Sequence, residues 1–146
     1  MKTKILAFEE LTPQQLYDIL RLRSEVFVVE QHCIFLDMDN KDKIAMHLMI
    51  YDEDELVAYS RLYDKGQYYD ETSIGRVVVN PKHRTKKLGH LLMKESIEAI
   101  EFLFKHNQIR IGAQCYLLNF YQSHGFVVCG DVYLEDGIEH VEMIRG

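Results

Sequence analysis

Residues 73 to 93 read SIGRVVVNPKHRTKKLGHLLM. β-Branched residues dominate as far as Val79, a composition that favours an extended strand. Asn80-Pro81 ends the run, because the residue before a proline is steered away from helical geometry. Behind it come Lys82, His83, Arg84, Lys86 and Lys87, then leucines at helical spacing. Strand, basic turn and helix together can bind a phosphate, since the first N–H groups of a helix have no helical acceptor. Gly89 lets the backbone approach closely, Arg84 can bind in bidentate fashion, and Lys86 and Lys87 add positive field. The same residues also fit the solvated start of a surface helix. Neither the GxxxxGK nor the GxGxxG pattern is present, so spacing alone leaves both readings open.

The bulk composition narrows the alternatives. The chain has 146 residues, 47% hydrophobic, with only two prolines, which suits one folded domain spanning 1–146 and excludes intrinsic disorder. Its net charge of -6, from 17 Lys plus Arg against 23 Asp plus Glu, gives no general attraction to nucleic acid or to an anionic membrane. The basic turn is therefore the strongest positive cluster in an acidic protein. Cys33, Cys115 and Cys129 form no CxxC pair, and no apolar run is long enough to span a bilayer; the expectation is a reduced, cytoplasmic protein. No metal is expected: the histidines lack compact zinc spacing, and the Asp37/Asp39 alternation lacks the glycine and closing glutamate of a calcium loop.

The remaining segments can be read in turn. KILAF (4–8) is a short strand. Thr12, Pro13 and Gln15 start a helix with a hydroxyl cap, an early proline and a capping-box partner, and Leu16, Ile19, Leu20, Val26 and Phe27 continue it. Residues 30–43 are polar and acidic, and read either as a solvated loop or as an attractor for a cationic amine. IAMHLMIY (44–51) and LVAYSRLY (56–63) pair as a hairpin across DEDE. Leu88 to Phe104 form a helix of four or five turns, IRIGA (109–113) a strand, and LLNFYQSHGF (117–126) a short helix ending at Gly125. Two strands then flank Asp136-Gly137, a favoured hairpin turn. Strands in the middle with helices on both sides make an α/β domain.

Taken together, these stretches resemble the GCN5-related N-acetyltransferase (GNAT) superfamily, and within it the bacterial ElaA-like branch. Arg84-Thr85-Lys86-Lys87-Leu88-Gly89 matches the superfamily's basic, glycine-containing turn, with Lys87 in place of its first glycine. RLRSEVFVVEQ (21–31) is similar to the first-helix signature of the ElaA-like proteins, NFYQSHGF (119–126) to the late tyrosine helix, and EDGIEHVEM to the closing hairpin. The resemblance implies the acyl-CoA N-acyltransferase fold, a mixed and mostly antiparallel sheet flanked by helices. It also implies acetyl-CoA as co-substrate, its pyrophosphate received by the turn that carries Arg84, Lys86, Lys87, Gly89 and His90.

By the same resemblance, Val77, Val78 and Val79 lie on the strand used for the pantetheine arm and acetyl group; by composition they are core residues, and both readings can hold. Tyr121 is the expected general acid, because a phenol with a pKa near ~10 stays protonated at neutral pH and can supply a proton to a leaving thiolate. Its bland alternative is an aromatic packed in the core. Asn119 is either a ligand of the pantetheine arm or the cap of the short helix. His47, His140 and Glu30 are candidates for the base or the acceptor site. No cysteine is set in a nucleophilic triad, so direct transfer to a primary amine, on a small molecule or a peptide, is the expected reaction. The alternative is a non-catalytic CoA-binding module that regulates or binds another protein. A short edge strand offers a route to a homodimer.

Overall fold

The computed structural model describes all 146 residues apart from the side chain of Lys86. One mixed sheet organises the chain. Strands β1 (Lys2–Ala7), β2 (Met46–Asp52), β3 (Glu55–Tyr63) and β4 (Thr72–Val79) lie antiparallel in that order. Strand β5 (Ile109–Gln114) runs parallel to β4, and β8 (Ile138–Arg145) runs antiparallel to β5. The far side of β8 is shared by two short strands, β6 (Val127–Val128) and β7 (Tyr133–Glu135). The β7–β8 turn has positive φ at both Asp136 (51°) and Gly137 (79°), the geometry that matches the twist of a two-residue hairpin.

Parallel neighbours need a crossover, here supplied by the 19-residue helix α2 (Lys86–Phe104). Its apolar stripe of Leu88, Leu92, Met93, Ile97 and Ile100 buries against Leu48, Ile50, Ala58 and Leu62. Within this layer Ser96 Oγ donates to Leu92 O at 2.7 Å, so its one proton is committed and Ser60 must donate across the 2.8 Å contact to Ser96. The opposite face is covered by α1 (Pro13–Arg23). Thr12 caps it by accepting from Gln15 N, and Gln15 returns a bond to Thr12 N. Ile19, Leu22 and Val26 pack there on Met49, Leu56, Tyr59 and Val78. Helix α1 does not stop at Arg23 but widens into a π-helical segment, Ser24–Glu30, whose end faces the basic turn.

Residues 31–45 form no regular element, yet they are not a solvated loop. Arg23 and Arg61, 0% and 1% exposed, are held by carboxylates from this segment. Arg23 bonds Asp37 (2.9 Å) and Asp42 (2.6 Å); Arg61 bonds Asp39 (2.6 Å) and Asp42 (2.9 Å); Arg76 bonds Asp37 (2.8 Å). Three arginines meet three aspartates, so the cluster is neutral. Burial alone would raise the Asp42 carboxyl, but Arg23 and then Arg61 outweigh it and hold it below the usual range. Asp39 is likewise brought down to about 2, with Arg61 as the main cause opposing burial. These aspartates are spent on arginines and are not available to attract an amine.

Candidate active site

The sheet is open at one place. Strands β4 and β5 pair only at Thr72↔Ile109 and Ser73↔Arg110, then splay apart. On its other side β4 carries a bulge: Arg76 and Val77 together oppose Ser60, between the pairs Arg61↔Gly75 and Tyr59↔Val78. Arg76 takes φ +47°, unusual for a side chain of its size, and its guanidinium is pinned to Asp37. Beyond Ser73 the edge of β4 facing β5 has no partner strand, and Gly75, Arg76 and Val77 line the opening there.

A cleft of about 650 Å³ passes through this gap. Toward α2 it is lined by Val77, Val79, Arg84, Thr85, Gly89, His90, Phe120 and Tyr121; toward α1 by Phe35, Tyr63, Tyr69, Gly112, Tyr133 and His140. Thr85 caps α2 by accepting from Leu88 N at 3.2 Å, which sets the start of the helix at the cleft wall. Lys87 is helical with negative φ and exposed, so a side chain at that position meets no backbone strain. Gly89 lies close to Phe120: a Cβ there would stand 3.6 Å from the ring, ordinary contact. His90 and His124 approach to 2.7 Å and both rings pack on Phe120.

Tyr121 is 6% exposed and lines the cleft, its ring held edge-on by Phe120 and Phe126. Its hydroxyl has no hydrogen-bond partner among the described residues, and burial, then the nearby Tyr116, pushes its pKa up. It therefore stays protonated across the neutral range. His140 is buried at the opposite wall. Its Nδ1 lies 2.7 Å from Ile138 O, and a carbonyl only accepts, so Nδ1 carries a proton and, in the neutral ring, the lone pair is on Nε2. The imidazole stacks on Tyr133, and Glu135 Oε2 stands 3.6 Å from Nε2.

Other residues named from sequence lie elsewhere. His47 is sealed in the α1-side layer, with Nδ1 2.6 Å from Tyr59 Oη and Nε2 2.8 Å from Asp42 O; burial lowers its pKa, and it does not reach the cleft. Val78 turns away beneath α1, as its place beyond the bulge dictates, while Val77 and Val79 face the cleft. Asn119 is exposed at the second position of α3 (Leu118–Gln122); the cap position is Leu117, so Asn119 neither caps the helix nor lines the cleft. The side chain of Lys86 falls outside the described residues. Glu30 does reach the cleft mouth, where it grips Arg84 through two bonds, one of 2.9 Å. Sequence reading missed the bulge at Arg76, the cap at Thr85 and the tyrosines at 63, 69 and 133.

The family model for the acetyltransferase (GNAT) domain matches residues 9–145. The chain belongs to that family. Within this GNAT family it falls in the ElaA-like branch: it is 41% identical over 138 residues to Protein ElaA of Escherichia coli K12, covering 93% of this chain and 90% of that protein. The crystal structure of Escherichia coli ElaA superposes with a TM-score of 0.91 over 100% of both chains. An acyl-CoA N-acyltransferase from Pseudomonas aeruginosa superposes at 0.94 with 38% identity, again over 100% of both. The GNAT fold implies an acetyl-CoA-like co-substrate, and the cleft suits one: its splayed strand offers free backbone groups, and a capped helix start carrying Gly89 stands at one end. Among the described residues no group of three or more His, Cys, Asp or Glu is set to hold a metal ion, and no helix is long and apolar enough to cross a membrane.

Proposed function

We propose that the protein transfers an acetyl group from acetyl-CoA directly to a primary amine, with His140 as base and Tyr121 as acid. The carrying observation is that these two side chains line one cleft through the splayed sheet, one with Nδ1 bound to a carbonyl so that Nε2 is the basic nitrogen, the other with a protonated hydroxyl. Arg84, the amides at the start of α2 and Gly89 would hold the pyrophosphate, and the backbone of Gly75–Val77 the arm and acyl group. The thioester of acetyl-CoA supplies an acyl group already activated toward amines.

The chain's residues manage the protons. His140 Nε2 takes one proton from the ammonium, leaving a nitrogen lone pair. That pair forms the C–N bond as the C–S bond breaks, and the Tyr121 hydroxyl protonates the departing sulfur. The second nitrogen proton restores Tyr121, and His140 releases its proton to solvent. The products are an amide, CoA thiol and one proton. No cysteine is needed: Cys33 donates to Asp136 O at 3.1 Å and Cys129 is exposed.

The test is thiol release from acetyl-CoA against a mixed panel of primary amines. Amine-dependent release above the hydrolysis rate supports transfer. Saturable binding of acetyl-CoA with no release for any amine would instead favour a CoA-binding regulatory module, a reading that the intact Tyr121–His140 pair disfavours.

A further inference from the structure

Two tyrosine hydroxyls converge on a glycine at the α1 side of the cleft. A Cβ built on Gly112 would stand 2.8 Å from Tyr133 Oη and 3.2 Å from Tyr69 Oη. The absent side chain is what admits both phenols over β5. Tyr133 stacks on His140 (centroids 5.7 Å apart), and Glu135 reaches toward the same imidazole. Tyr63, Tyr68 and Phe35 continue this wall.

The charges around the lobe leave one sign in excess. Arg61 and Arg76 line it but, with Arg23 behind them, are cancelled by Asp37, Asp39 and Asp42, and at the mouth Arg84 is paired with Glu30. Glu135 and Asp136 face the lobe with no lysine or arginine partner among the described residues. Aromatic faces with a carboxylate favour a cation. Tyr68 already has Lys41 Nζ 5.8 Å from its ring centroid and Tyr133 stacks on His140, so Tyr69 and Tyr133 offer an incoming ammonium their hydroxyl oxygens over Gly112. Next in sequence to Cys33 and Glu135, which line the cleft, Ile34 is fully exposed and Leu134 is 72% exposed, apolar surface beside the lobe. Cys33, beside Ile34, bonds Asp136 O and ties the two sides of the mouth together.

We infer that Tyr69, Tyr133 and Glu135 form an ammonium subsite that presents the acceptor to His140, and that the acceptor is a monocationic primary amine on a flat apolar body, of the arylalkylamine class. This deepens the acyl-transfer reading of the same cleft and rests on it. A polyamine would need more unpaired carboxylates along the lobe than Glu135 and Asp136, and the rings of Phe35, Tyr63 and Tyr68 favour a flat apolar body over an amino sugar. The ammonium nitrogen bridges Glu135 and His140 Nε2 from the lobe side, these two groups being 3.6 Å apart, so recognition and deprotonation occur at one place. Glu135 is a positioning residue in this scheme.

Two measurements test it. In the first, thiol release at saturating acetyl-CoA is compared for phenethylamine, spermidine, glucosamine and hydroxylamine, the last largely neutral at mildly alkaline pH. Phenethylamine should have the highest kcat/KM. Glu135→Gln should raise its KM by about 1.4- to 5-fold, the range for a partly exposed ion pair, with kcat nearly unchanged. The KM for hydroxylamine should not move. Preference for spermidine or glucosamine, or an equal effect on hydroxylamine, overturns the inference.

The second is saturation-transfer NMR of phenethylammonium on the CoA-bound protein, which needs no turnover. Signal in the wild type that weakens in Glu135→Gln and in Gly112→Ala supports the subsite. Gly112→Ala should fold, because its Cβ meets only the far ends of two side chains. Absent or unaltered signal overturns the subsite, whereas NMR binding without any thiol release sinks the acyl-transfer reading alone.

Discussion

Glu30→Gln is expected to tighten acetyl-CoA binding. Among the described residues Arg84 is the one arginine or lysine of the turn that lines the cleft, and its guanidinium is gripped by the Glu30 carboxylate at the end of the π-helical segment. For Arg84 to bind a pyrophosphate, it must leave or share that partner. The pair is 45% and 39% exposed, so solvent screens it, and such pairs contribute ~0.2–1 kcal/mol. Removing the competitor should therefore lower Kd by about 1.4- to 5-fold. Arg84→Ala, which loses charge-assisted hydrogen bonds of ~1.5–3 kcal/mol, should raise Kd about ten- to hundredfold. The discriminating arm is the double variant, read by calorimetric titration with acetyl-CoA at fixed ionic strength. If Glu30 acts by occupying Arg84, its substitution has no effect once Arg84 is alanine. A gain that persists in the Arg84→Ala background would refute the latch and leave only general repulsion between Glu30 and phosphate.

Further expectations follow from the same geometry. Tyr121→Phe should lower kcat by about a hundredfold or more while leaving the Kd for acetyl-CoA nearly unchanged, as single-turnover kinetics and titration would reveal. Asp42→Ala leaves two fully buried guanidinium groups short of a partner and should cost about 3–5 kcal/mol in denaturant unfolding; a loss below 1 kcal/mol would contradict the buried network. Asp39 titrates at about 2 in the folded chain against 3.8 for the free group. A depressed carboxyl stabilises the fold above its unfolded value and loses that contribution as pH falls through the folded one. Residues 31–45 should therefore hold above about pH 4 and loosen toward pH 2, seen as amide exchange rising there before it rises in the sheet.

The strand–turn–helix at 73–93, the Thr12 cap and the Asp136-Gly137 hairpin were legible because each is decided by neighbours in sequence. The family resemblance carried the fold. What escaped were features set by distant partners. Nothing local to Arg76 announces a left-handed residue; it is held by Asp37, which lies 39 positions away. The acidic run 30–43 has the composition of a solvated loop, and only the convergence of arginines from α1, β3 and β4 makes it interior. His47 and His140 look alike as strand histidines. They separate when the bonds to Tyr59 and Asp42 seal the first and the splay of β4 from β5 opens the second to the cleft. The tyrosines at 69 and 133 come together only across Gly112.

The measurement that bears most directly on the account is calorimetric titration of the folded protein with acetyl-CoA, alongside the Arg84→Ala variant. The account predicts saturable one-to-one binding, weakened in the variant. No heat of binding at millimolar acetyl-CoA, or equal affinity in both proteins, would contradict the assignment of the splayed cleft and its basic turn.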